Sequence, residues 1–231
     1  MRTIRFGTLS IAALALLAFV GGATAQTTSP TLLNSLEVQQ LVTRATPADH
    51  ARLGAHSALL AEQRAVDAKR HSAMAQAYAV SPSLRTPANS SATDHCKHLE
   101  KLNLQSAAAL RELAAHHEGL AAGQASAIPR GTSGFESGAG APAPTTEALS
   151  AMARQATTPA DHRALQEYFL TAAKHYTSEA SDHVAIAQSY RGTRIAQAAD
   201  HCERIVANAR ESAKEATAAA AMHGQLANVA R

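Results

Sequence analysis

The sequence predicts an all-α protein: two copies of one antiparallel helical hairpin, docked as an up-down four-helix bundle, each preceded by a short extra helix. Three observations predict it. The chain is internally duplicated, alanine dominates a composition with only 3% aromatic residues, and Thr-Pro dipeptides stand where helices should begin. Alanine is the best helix former and lets helices approach closely, but it buries little apolar area. Long, thin, closely packed helices follow, with no room expected for haem or a nucleotide cofactor.

The duplication is read directly. Thr46-Pro47-Ala48-Asp49-His50 recurs as Thr158-Pro159-Ala160-Asp161-His162, and His71, Ala73, Ala75, Gln76 and Tyr78 recur as His183, Ala185, Ala187, Gln188 and Tyr190, all at an offset of 112. Asp94-His95-Cys96 then recurs as Asp200-His201-Cys202, and His117 and Leu120 as His223 and Leu226, at an offset of 106. The shortfall falls between Val80 and Ala92, where Ser81-Pro82-Ser83 marks a longer turn in the first copy.

In chain order, Arg2 and Arg5 precede an apolar run from Ile11 to Val20, and Ala23-Thr24-Ala25 supplies a small-x-small cleavage pattern. Residues 1–25 therefore read as a secretory signal, too short to span a bilayer, which directs the protein to the periplasm or outside the cell. Residues 26–45 are a lead-in with a short helix at Leu32–Thr43. Repeat 1 fills 46–122: Thr46 caps a helix running to about Tyr78, Val80–Arg85 turns the chain, and Thr86-Pro87 opens a second helix to about Ala122. Residues 123–146, rich in Gly, Ala, Ser and Pro, read as a flexible linker. The segment 147–231 holds a short helix at Glu147–Gln155 and repeat 2. There the first helix starts at Thr158 and ends near Tyr190, Arg191-Gly192 is the turn, and Thr193 caps the second helix to about Ala227. Two isolated Ala-rich hairpins would expose much of each seam, which favours a single bundle.

Charge and motifs narrow the function. Residues 1–25 contribute two of the basic residues and no acid, so the net charge of +3 falls to +1 without them. A near-neutral chain has no polybasic footprint for nucleic acid. No nucleotide-binding, nucleophile-elbow or haem-attachment motif occurs, and Asp-His-Cys in one helix cannot converge as a catalytic array, so an enzyme is not expected.

Histidine is the distinctive residue. His50 and His71 are 21 apart and His95 and His117 are 22 apart, with both spacings repeated in copy two, so each pair stays near one helical face. If the hairpins stand side by side, His71, His95, His183 and His201 form one tier, and His50, His117, His162 and His223 a second about 32 Å away. Asp67 and Glu179 lie one turn before His71 and His183 and join the first tier as ligands or orienting partners. That constellation predicts binding of copper or zinc, for buffering or delivery. The alternatives are a metal-free structural or stress-adaptor protein that meets an envelope protein partner, and a bundle whose opposed histidines respond to pH. Asp49 and Asp161, and Asp94 and Asp200, read as helix-start residues, and His56, His98, His116 and His175 as surface residues. Cys96 and Cys202 are expected to form a disulfide across the pseudo-symmetry axis; a metal-ligand or free-thiol role is the alternative.

Overall fold

A computed structural model describes residues 32–80, 87–123 and 144–229, the side chains of 87–90 excepted. The expected signal segment, most of the first-copy turn, the Thr86 cap and the body of the linker lie outside these residues. Among the described residues there are six helices and no strand: α1 Ser35–Arg44, α2 Pro47–Val80, α3 Pro87–Ala122, α4 Thr146–Gln155, α5 Pro159–Arg191 and α6 Gln197–Val229.

The helix starts follow capping chemistry. Asn34 and Glu37 exchange side-chain and backbone bonds at the start of α1, and Thr158 and Asp161 do the same at α5. At α2, Asp49 accepts from both the backbone N–H and the hydroxyl of Thr46, while Thr46 Oγ1 accepts from the Asp49 N–H. Arg44 also donates to Asp49 at 2.6 Å across the α1–α2 joint, and that hydrogen bond holds the Asp49 carboxyl down at about 2. One start differs from expectation. The Thr193 hydroxyl donates to the Tyr190 carbonyl and accepts from the Ile195 N–H. It therefore closes a tight turn, and α6 begins only at Gln197.

The long helices pair as α2 with α3 and α5 with α6, and the two hairpins meet along α3 and α6. They meet head to tail: His95 of α3 faces Glu215 of α6, whereas His201 of α6 faces Glu112 of α3. On the other side Arg64 of α2 reaches Glu179 of α5. The pseudo-two-fold axis thus runs across the helices, and the turn of each hairpin lies beside the open end of the other. This differs from an up-down-up-down ring, in which α3 and α6 would be diagonal. Here they are neighbours, and Tyr78 of α2 reaches His223 of α6 through the interior. The short helices also cross over, α1 packing on α5 and α4 on α2.

Apolar side chains gather at the two ends. One cluster joins Met74, Tyr78, Leu99, Leu149, Leu165 and Phe169; the other joins Val38, Leu41, Leu53, Leu113, Ile186 and Ile195. Gly54 lets α2 and α3 close up, since a Cβ there would stand 3.3 Å from the Ala114 carbonyl oxygen. Between the clusters lie a small apolar group, Ala61, Ala109, Leu110 and Ile205, and a polar centre. Arg64, 2% exposed, lies 3.2 Å from Asp67 and 3.4 Å from Glu179. It also bonds His175 and Asn103 and sits over the Tyr176 ring at 5.3 Å. Positions 64 and 176 are equivalent at the first repeat offset, so the two residues meet at the axis with different chemistry.

The cysteines do not form the expected disulfide. Both are free and buried, Cys96 in one end cluster and Cys202 in the other. Head-to-tail docking leaves them more than about 20 Å apart by helix rise, against the roughly 6 Å Cα separation a disulfide needs. Burial pushes both thiols up, Cys202 to about 12, so neither offers a thiolate to a metal or an electrophile. A thiol reagent should accordingly label neither residue in the native protein and both after denaturation. A reductant should leave the melting midpoint unchanged.

Candidate functional site

The repeated histidines converge as two equivalent buried centres, one at each end. In the first, His50 Nδ1 of α2 and His117 Nδ1 of α3 stand 3.2 Å apart, and His117 Nε2 lies 2.8 Å from the Tyr190 hydroxyl of α5. In the second, His162 Nδ1 and His223 Nδ1 are again 3.2 Å apart, with His223 Nε2 2.9 Å from the Tyr78 hydroxyl. Each centre takes its histidines from one hairpin and its tyrosine from the other. The rings lie nearly parallel, 21° apart at the first centre and 28° at the second. Phe169 adds a parallel face on His223.

Hydrogen counting limits what these pairs can carry. Two Nδ1 atoms at hydrogen-bond distance hold one proton between them, one nitrogen donating and the other accepting. A second proton sets two N–H groups against each other in a site shut off from water. Burial, and then the partner imidazole, hold His117 and His223 down at about 3. Burial lowers His50 and His162 too, with Asp49 and Asp161 opposing.

Other buried histidines share this state. His56 accepts a hydrogen bond from the Leu33 backbone N–H at Nδ1, so that nitrogen carries no proton. Burial holds His56, His71 and His183 at about 4. His71 Nε2 is 3.4 Å from the Tyr176 hydroxyl, while the Nδ1 atoms of His71 and His183 are buried without a hydrogen-bond partner.

The structure therefore regroups the expected site. His71 and His95 lie at one end and His183 and His201 at the other, because the hairpins dock head to tail. On α3, 17 residues separate the level of His95 from that of His201, about 25 Å. The second tier divides in the same way into its two pairs. Asp67 and Glu179 turn from His71 and His183 to Arg64, and burial raises the Glu179 carboxyl above its ordinary range. Among the described residues no three His, Cys, Asp or Glu side chains stand grouped around one point as metal ligands.

Several contributors escaped the repeat pattern. His56 is buried, His175 bonds Arg64, and His116 packs against His117 and His201. Of the four histidines expected at the surface, His98 and His175 are exposed, His116 is half-buried and His56 is buried. Tyr78 and Tyr190 were visible as repeats, but nothing local marked them as partners of a histidine in the opposite copy. In comparisons with known proteins, no family model, curated protein or solved structure matches the chain. Fold and centres define it as an all-helical protein of two interlocked hairpins around paired buried imidazoles, and among the described residues no helix is long and apolar enough to cross a membrane.

Proposed function

We propose that this is an exported, non-enzymatic helical protein of the cell envelope that is closed at neutral pH and opened by acid. The observation that carries the reading is the pair of facing imidazoles at each end, His50–His117 and His162–His223, each shut in by a tyrosine from the other hairpin. A facing pair is compatible with the closed bundle only while it holds fewer than two extra charges, so mild acid acts on both ends together. Around the His50–His117 pair stand Asp49 from α2, His116 from α3, Tyr190 from α5 and His201 from α6. Around the His162–His223 pair stand Asp161 from α5, Tyr78 from α2 and His95 from α3. The aspartates lie outside each pair, beside His50 and His162, and leave His117 and His223 with imidazole and phenol neighbours. Opening frees the leucine and phenylalanine seams at the ends for an envelope polypeptide to cover.

The test compares the mature chain with His117→Gln/His223→Gln. Wild type should expand reversibly between pH 6.5 and pH 4, as read by hydrodynamic radius. The variant, with one titrating member of each pair removed, should show a shallower dependence of unfolding free energy on pH, whatever its stability at pH 7.5. An unchanged slope would set the reading aside.

A further inference from the structure

Outside the buried pairs, a serine, a histidine and a carboxylate stand in line where α3 meets α6. Ser91 and His95 are one turn apart on α3 and share a face. The Ser91 hydroxyl lies 3.1 Å from His95 Nε2, and His95 Nδ1 lies 2.5 Å from Oε1 of Glu215 on α6. A carboxylate only accepts, so Nδ1 carries the imidazole proton and Nε2 presents its lone pair to the serine. The hydroxyl then donates to Nε2, which is the order that a nucleophile, its base and an orienting acid require. His98 Nδ1 lies 3.5 Å from Oε2 of the same carboxylate.

The opposite end lacks this arrangement. At the second repeat offset Gln197 stands in place of Ser91, His201 in place of His95 and Arg204 in place of His98. Arg204 bonds Glu112 and lies 2.6 Å from His201 Nδ1. A guanidinium only donates, so His201 Nδ1 accepts and the imidazole proton sits on Nε2. That tautomer cannot take a proton at Nε2, and position 197 offers no hydroxyl. Duplication alone therefore does not account for the line of three groups, because the serine and the tautomer that serves it belong to one end.

We propose that Ser91 is an activated nucleophile that takes one acyl group from an activated ester, with His95 as its base and Glu215, supplied by the other hairpin, as a positioning residue. Ser91 Oγ attacks the carbonyl carbon as its proton passes to His95 Nε2. The tetrahedral oxyanion then collapses, the bond to the leaving oxygen breaks, and the alcohol or phenol departs with that proton. The chain keeps an ester at Ser91. Ser91 is half-buried, and the His95 and Glu215 side chains are 19% and 15% exposed. A small donor can reach the line, and water solvates the oxyanion, so good leaving groups define the class of donor. The reaction modifies the chain once per molecule. It is independent of the acid response, which concerns the buried pairs.

The experiment treats the mature chain at pH 7.5 with an alkyl fluorophosphonate, which reacts with activated serines by loss of fluoride, and maps the label by mass spectrometry. Wild type should carry one label, on Ser91, and the chain unfolded in urea none there. His95→Gln should slow labelling about 100-fold, the scale of a positioned base. Glu215→Gln should slow it about tenfold or more by releasing the tautomer, both variants keeping their helicity. Because Glu215→Gln preserves a hydrogen-bonding side chain, a merely structural role would leave the rate alone. With 4-nitrophenyl acetate, wild type should release a burst of about one equivalent of 4-nitrophenolate per chain, absent from Ser91→Ala. A folded wild type with no label on Ser91 would overturn the proposal. So would labelling indifferent to His95→Gln, or a burst that survives Ser91→Ala.

Discussion

Lowering the pH from 7.5 to 5 is expected to remove most of the stability of the folded chain. His56, His71 and His183 are held at about 4 and His117 and His223 at about 3, against about 6.5 in an unfolded chain. A base with a depressed folded value stabilises the fold above its unfolded value. That contribution is lost as pH falls, because the unfolded chain takes up protons that the folded chain refuses. At pH 5 each of these five histidines favours unfolding by about 2 kcal/mol, and together by roughly 10 kcal/mol, comparable with the whole stability of an ordinary domain. Urea melts followed by circular dichroism from pH 7.5 to pH 5 should show a midpoint that falls steeply and recovers on neutralisation. The Leu33 N–H bond to His56 adds a local marker, since protonation of Nδ1 must break it.

The second large effect belongs to Arg64. Its guanidinium is enclosed by Asp67, Glu179, Asn103, His175 and Tyr176. Arg64→Leu strands the Glu179 carboxylate in the core with no countercharge, a change of the kind that costs about 3–5 kcal/mol. Arg64→Met with Glu179→Gln removes both charges and should restore most of the loss, since a buried ion pair is often replaceable when both partners go together. Urea midpoints of wild type, single and double variants at pH 7.5 measure this directly. A single variant as stable as wild type would mean that water reaches Glu179.

Much of this architecture was legible in the sequence. The two Thr-Pro-x-Asp starts gave the helix beginnings because a capping box is local chemistry, and the two offsets revealed two hairpins. What periodicity does not encode is how two amphipathic hairpins face each other. A three-heptad spacing places His50 and His71 on one face of α2, but the same face docks equally well onto a partner running either way. The four-histidine tier followed from choosing the parallel arrangement, and the expected Cys96–Cys202 bridge depended on the axis lying along the bundle. Arg64 does not stand out in the repeat because copy two holds Tyr176 there, although Arg64 lies one heptad before His71 and so on the buried face. Glu112 and Glu215 do not correspond under the repeat offset, so duplication could not reveal them as partners of His201 and His95.

The most direct test of the account is a side-chain ¹⁵N NMR titration of the imidazoles, which reports the protonation state and tautomer of each ring. The account predicts that His117 and His223 stay neutral down to about pH 5, until the bundle itself opens. Each should show one protonated ring nitrogen. Full protonation of His117 and His223 near pH 6.5 in a protein that remains compact would contradict it.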